Sequence, residues 1–341
     1  MVFPAPFVES LFMVTIAGPI TLQAIEPYLA QVNELFAREL ASDLDHVQKL
    51  SNHVERFRGK MLRPVLVFLS GLAARNSSQP LGQTHVTIAT VVEMVHVATL
   101  VHDDVLDNAE IRRRGATINH LHGNEAAVLL GDLLISHAYH LCSSLDSQMA
   151  SRAIGRTTNI VCEGELTQNF NRGNWALTEK TYFDIIYRKT ASLIETSCRL
   201  GAWASDADAA TVEALGNYGR DVGMAFQIVD DLLDIAGQQK TVGKSLGTDI
   251  EKGKLTLPMI HFLATAAPTH QQLLISLLES DAPDRIDNAR QLLIPSPSMR
   301  YARNRAQQLV DQAIAAIEDL PESEIRQILI DMARFVTARE S

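Results

Sequence analysis

Two five-residue clusters announce the chemistry of this chain, Asp103-Asp104-Val105-Leu106-Asp107 and Asp230-Asp231-Leu232-Leu233-Asp234. Asp103 and Asp107 are four residues apart, so on a helix they stand one above the other on one face. Asp230 and Asp234 repeat the spacing. Like charges so placed repel, and an apolar core beside them raises the desolvation cost. A divalent cation between them reverses the sign of that problem. Magnesium suits the pattern, because it takes oxygen ligands and leaves positions for water or substrate phosphates. No loop has the EF-hand spacing that calcium would use. The competing reading is two solvated acidic helix ends. One DDxxD leaves the two readings level; two copies, each ending an apolar helix, favour metal.

Basic residues lie where a metal-bound anion would need them. Arg112, Arg113 and Arg114 follow the first cluster, and arginine forks match phosphate oxygens in bidentate geometry. An Arg–Asp surface network is the alternative for any one of them. Gly59-Lys60-Met61-Leu62-Arg63-Pro64 sets a lysine and an arginine beside a helix start, a position that favours anions. His96, seven residues before Asp103, is either a satisfied core histidine or a substrate contact. His102 adjoins the cluster as a candidate partner of the aspartates.

Helices must position these groups, since apolar spacing is helical nearly throughout and alternating runs are scarce. Residues 22–48 read as one amphipathic helix, and Pro64 opens another. Residues 84–106 and 219–235, which end in the two acidic clusters, are apolar nearly all round and belong at the centre of a bundle. Gly216, Gly219 and Gly223 would admit a close neighbour. The stretch holding Gly237, Gly243, Gly247 and Gly253 reads as a mobile, lysine-rich loop. Helices resume near Pro258, a turn at Pro295 and Pro297 precedes a helix over 299–318, and Leu320-Pro321 starts a short last one.

The 341 residues are 46% apolar, with 30 basic against 40 acidic side chains and a net charge of −10, a balance that disfavours nucleic-acid binding. Cys142, Cys162 and Cys198 are dispersed, as in a reducing compartment. The apolar run from Leu11 to Ile20 lacks a basic flank and contains Gly18-Pro19, so no signal peptide or transmembrane segment is expected and a cytoplasmic location is. Residues 1–21 form an unassigned extension, and 22–341 a single all-α domain.

The ordered set GKxxRP, EMVHxATLVHDDxxD, RR, EGEL, YRKT and FQIVDDLLD, followed by the lysine-rich loop, resembles the trans-polyprenyl diphosphate synthases. The resemblance implies an orthogonal helical bundle of the isoprenoid synthase type, usually a homodimer. It also implies head-to-tail condensation of isopentenyl diphosphate with an allylic diphosphate, the product being handed to a membrane. It implies magnesium, three ions with substrate bound, with Asp103, Asp107 and Asp230 as metal ligands. The catalytic set is completed by Asp104, Asp231, Asp234 and Lys189. Lys60, Arg63, His96 and Arg113 match the isopentenyl diphosphate site; Arg112, Lys189, Thr190, Gln227 and Lys244 match the allylic site. Lys254 joins Lys244 on a loop suited to closing over the substrates. The usual RRG reads Arg112-Arg113-Arg114-Gly115, so a register shifted by one arginine stays open.

Metals and basic residues together would stabilise the charge that develops on a departing diphosphate. No Ser–His or Cys–His nucleophile is required. Ala98 and Thr99, about one turn before Asp103, with Val95 deeper, leave room for a growing chain, which predicts a long product of octaprenyl or solanesyl type. Ala98 as a small residue for helix packing is the alternative. A terpene cyclase would share fold and metals without needing Lys60, Arg63 and His96. A non-catalytic subunit of a heteromeric synthase would be expected to lack part of one motif, whereas both are complete.

Overall fold

The computed structural model describes residues 19–56, 59, 61–75, 80–112, 115–237 and 246–338. The order is α1 (Pro19–Glu39), α2 (Asp45–Arg56), α3 (Leu62–Ala73), α4 (Gln83–Leu106), β1 (Ile111–Arg112), β2 (Gly115–Ala116), α5 (Ile118–His122), α6 (Asn124–Ser143) and α7 (Gln148–Phe170). Next come α8 (Glu179–Ile186), a π-helical segment (Tyr187–Ala191), α9 (Ser192–Trp203), α10 (Ala209–Ala236), α11 (Thr248–Glu251) and α12 (Leu257–Thr265). The chain closes with α13 (Pro268–Glu279), α14 (Arg285–Leu293), α15 (Pro297–Ala316) and α16 (Glu324–Ala338). Strand is limited, among the described residues, to the antiparallel β1–β2 hairpin.

The helices group into two compact units. Unit 1 takes residues up to Thr158, Leu193–Gly219 and Ala316–Met332; unit 2 takes Asn159–Ser192, Arg220–Ala315 and the residues from Ala333. In unit 1, α4 packs against α6, α3 and α1. Val91, Val92, Met94 and Val95 on α4 are all buried, as the all-round apolar pattern requires. The three valines among them are mediocre helix formers; burial at roughly 1.5–3 kcal/mol each outweighs that. The glycine spacing on α10 also has its reason: a Cβ on Gly219 would sit 2.8 Å from Cys198 Sγ and 2.9 Å from Ile194 O on α9. Unit 2 has its own core, in which Ile228, Val229, Leu257, Met259, Leu274 and Leu293 are buried.

Several boundaries differ from the sequence expectation. The helix expected over 22–48 is two, α1 and α2. Between them the Ser42 N–H donates to Gln48 Oε1 (2.9 Å) and the Leu44 N–H to Ser42 Oγ (3.2 Å). Such side-chain bonds reward a turn over a continued helix. The last helix is not short: α16 has 15 residues, and Ser323 rather than Leu320-Pro321 caps its start through the Arg326 N–H (3.1 Å). Two helices, contrary to expectation, are long and apolar enough to cross a membrane: α4, with 78% of its apolar window buried, and α6, with 39%. In α4 the length and composition are those of a core helix. Residues 238–245, the centre of the expected lysine-rich loop, lie outside the described residues.

Candidate diphosphate and metal site

Unit 1 presents the first acidic cluster at the end of α4. Asp107 caps the helix, and Asn108 follows at φ 48°, the left-handed conformation that asparagine tolerates. Ala109 N–H then bonds Asp104 O (2.9 Å) and Asn108 N–H bonds Val105 O (3.2 Å), the pattern of a Schellman stop. The chain beyond is tied back by Thr117 Oγ1 to Ala109 O (2.6 Å) and by Asn119 Nδ2 to Asp104 O (3.2 Å). The three aspartates are not equivalent. Asp104 is buried and accepts Arg112 Nε at 2.7 Å, whereas Asp103 and Asp107 keep partly exposed carboxylates.

Arg63 stands in the first turn of α3, two residues after Met61, whose φ of 55° is strained for a residue with a Cβ. His96 is half-buried on α4, and its carbonyl accepts the Thr99 hydroxyl (2.7 Å). His102 does not serve the aspartates. Its Nε2 donates to Val128 O on α6 (3.1 Å) and lies 3.6 Å from Asp132, in the space left by Gly131. Ala98 and Val95 are completely buried on α4, and Thr99 is partly exposed. A mostly apolar pocket of this unit runs beside Asp104 and Arg112, walled by Val54, Val97, Leu100 and Ile118.

Unit 2 holds the second cluster, whose Asp231 lines a polar pocket together with Lys189, Thr190, Gln227, Asp249 and Lys254, among others. Here too the motif divides its labour. Asp231 is buried and accepts Tyr182 Oη at 2.6 Å and Gln227 Nε2 at 2.8 Å, while Thr190 Oγ1 donates to Gln227 Oε1 at 2.9 Å. Asp234 spends its carboxylate on returning backbone: Thr248 N–H (3.1 Å), Thr248 Oγ1 (2.9 Å) and Asp249 N–H (3.0 Å). Asp230 is the exposed member.

Burial, and then the charge of Asp249, lifts the Asp231 carboxyl well above the usual range against the pull of its two donors. Burial, and then Asp234, pushes Asp249 up to about 7, with Lys254 opposing. Crowded hard-oxygen donors of this kind fit a divalent cation, whose charge would relieve the repulsion. Among the described residues no three metal-ligating side chains converge, so an ion here would draw further oxygens from diphosphate or water.

Lys189 owes its position to a π-helical segment, in which the Ser192 N–H reaches back to Tyr187 O. Such segments often mark functional positions. The segment packs on α7 at Gly164, where an added Cβ would meet Arg188 Cβ at 2.6 Å and Lys189 N at 2.9 Å. On either side of that glycine, Glu163 pairs with Arg188 (2.5 Å) and Glu165 pairs with Lys189. Gln168 Oε1 accepts a further bond from Lys189 Nζ (3.0 Å).

The sequence pointed to EGEL as a motif but assigned it no task; Tyr182, Glu165, Gln168 and Asp249 were missed because their partners are remote in sequence. Unit 1 brings Asp104 to Arg112, and unit 2 gathers Asp231, Lys189, Thr190, Gln227 and Lys254 around one pocket. Lys60, Arg113, Arg114 and Lys244 lie outside the described residues.

Known proteins share this organisation. Residues 45–293 match the polyprenyl synthetase family model. The chain is 34% identical to the octaprenyl diphosphate synthase of Escherichia coli (strain K12) over 319 residues, covering 92% of this chain and 96% of that protein. The crystal structure of a decaprenyl diphosphate synthase from Rhodobacter capsulatus superposes with a TM-score of 0.86 at 32% identity, covering 93% of this chain and 98% of that one. A polyprenyl synthase from Caulobacter crescentus, complexed with calcium and isoprenyl diphosphate, gives 0.86 at 31% identity, with 95% and 99% covered. Divalent metal therefore accompanies isoprenyl diphosphate in a relative of the same fold. By family match, identity and an all-α fold of the isoprenoid synthase type, the chain belongs to the polyprenyl synthetase family.

Proposed function

We propose that this protein is a trans-prenyltransferase that condenses isopentenyl diphosphate head-to-tail with an allylic diphosphate, farnesyl or geranylgeranyl, to make an all-trans polyprenyl diphosphate of octaprenyl or solanesyl length. The observation that carries the reading is the unit 2 pocket, where Lys189, Lys254, Gln227 and Thr190 stand beside Asp231 and Asp249. Cations and polar donors next to crowded carboxylates suit a diphosphate that arrives with metal.

Asp103, Asp107 and Asp230 are the residues that would hold three magnesium ions. Bound magnesium would supply Lewis-acid charge to the leaving diphosphate. Lys60, Arg63, His96 and Arg113 hold isopentenyl diphosphate; Arg112, Lys189, Thr190, Gln227 and Lys244 hold the allylic diphosphate. Lys254 lines the pocket and opposes charge as it develops on the departing oxygens. Asp104 orients Arg112, and Tyr182 with Gln227 orients Asp231.

Product length follows from α4. Ala98 and Val95 lie about 7.5 and 12 Å along the helix axis before Asp103 and present small side chains there. Residues 22–341 act as one synthase domain. The apolar helix α6 leaves Leu129 68% and Val128 41% exposed, a surface that a second copy covers in a homodimer. The test is chromatography of products formed from farnesyl and isopentenyl diphosphates with magnesium. Long all-trans products that vanish on chelation are expected. Cyclic hydrocarbons without isopentenyl incorporation, or turnover indifferent to chelation, would overturn the reading.

A further inference from the structure

We propose that Glu165 is a positioning residue that sets how tightly the enzyme grips diphosphate, by holding Lys189 in an ion pair that the incoming anion must displace. The inference rests on the reading of Lys189 as a contact of the allylic diphosphate. Glu165 and Lys189 pair directly, with side chains only 18% and 23% exposed. Gln168, one turn further along α7, accepts from the same ammonium at 3.0 Å and lines the pocket with it. The pairing is built into the backbone, since Gly164 lets the π-helical segment press against α7 and the Glu163–Arg188 pair clamps the same junction.

A half-buried ion pair is screened less than a surface one. Diphosphate therefore competes with Glu165 for the ammonium and also meets the repulsion of its charge. Both effects weaken binding of the allylic substrate and of released pyrophosphate alike. A synthase that repeats its condensation must shed pyrophosphate at every cycle, and Glu165 draws Lys189 back as it leaves.

The experiment is titration calorimetry of inorganic pyrophosphate with magnesium into the full-length protein. Glu165→Gln should bind pyrophosphate about five- to tenfold more tightly. It should also lower KM for the allylic diphosphate, leave KM for isopentenyl diphosphate unchanged, and lower kcat as release slows. Glu165→Asp, which keeps the charge, should bind as the wild type does. Glu165→Ser, neutral and smaller, should repeat the gain if the glutamine variant does not fold. Unchanged or weaker pyrophosphate binding by a folded neutral variant overturns the proposal. Lys189→Met separates the two readings. If it does not weaken pyrophosphate binding, the assignment of Lys189 itself falls; if it does and the neutral variants show no gain, only the role of Glu165 falls.

Discussion

Two glycines on α7 make a matched pair for testing whether close backbone approach places Lys189. At Gly164 an added Cβ would lie 2.6 Å from Arg188 Cβ and 2.9 Å from Lys189 N, whereas ordinary contact begins at 3.4 Å. Gly164→Ala must therefore push the π-helical segment away from α7 by about 0.8 Å, since main chain cannot swing aside as a flexible side chain does. Overpacking of this kind costs about 1–3 kcal/mol. The helix preference of alanine over glycine returns about 1 kcal/mol, which leaves a net loss of roughly 0–2 kcal/mol. Activity should suffer more than stability, because misplacing a substrate-positioning group by about 1 Å costs on the order of 100-fold. We expect kcat/KM for the allylic substrate to fall by about 10- to 100-fold. Gly155, earlier on the same helix, is the control: its added Cβ would meet only Tyr139 Cε1, at 3.9 Å. Gly155→Ala should stabilise by about 0.5–1 kcal/mol with unchanged turnover. Thermal melts and steady-state kinetics on both variants decide the matter. A Gly164→Ala enzyme that melts and turns over like Gly155→Ala would refute the idea that this junction positions Lys189.

Ala98→Phe should shorten the product while sparing the first condensations, at a stability cost of about 1–3 kcal/mol because the site is fully buried; an unchanged product ladder by chromatography would show that the chain does not pass this residue. His85 predicts acid sensitivity in unit 1. Its Nδ1 accepts the Gly82 N–H (3.2 Å) and its Nε2 donates to Ser205 Oγ (2.9 Å), which in turn bonds Gly71 O (2.9 Å), so both ring nitrogens are committed to the neutral form. Burial, and then the charge of Arg75, lowers its pKa from 6.5 to about 4. The unfolded chain thus binds the proton first as pH falls. The stabilisation is complete above pH 6.5 and is lost progressively down to about 4, by about 3 kcal/mol in total. Across that window the wild-type denaturant midpoint should fall relative to that of His85→Gln, whereas equal pH slopes for the two proteins would refute the assignment. The comparison cancels the opposite trend of Asp231 and Asp249, which gain stability as they protonate.

Much of the candidate site was legible because its chemistry is local. The DDxxD spacing sets two carboxylates on one helix face whatever surrounds them, and the all-round apolar character of α4 required a central position. Less legible were features that depend on partners far along the chain. Ser42 and Gln48 break an otherwise continuous amphipathic pattern through their own hydrogen bonds. His102 looked like a companion of Asp103 by adjacency, yet a helix turns each residue by about 100°, and that turn aims its ring at α6.

The sequence by itself determined that the protein is helical, that two acidic helix ends and a set of basic residues suit a metal-bound diphosphate, and which family the order of motifs resembles. Repeating spacings and residue chemistry are properties of the chain alone. Tertiary structure decided which aspartate in each motif does what. Asp104 and Asp231 turn inward to Arg112 and to Tyr182 with Gln227, Asp234 holds the returning backbone, and Asp103, Asp107 and Asp230 keep some exposure. It also decided that EGEL and YRKT form one clasp around Gly164. The physical reason is that a side chain's partner, and with it burial and charge, is set by packing between segments that sequence spacing does not relate.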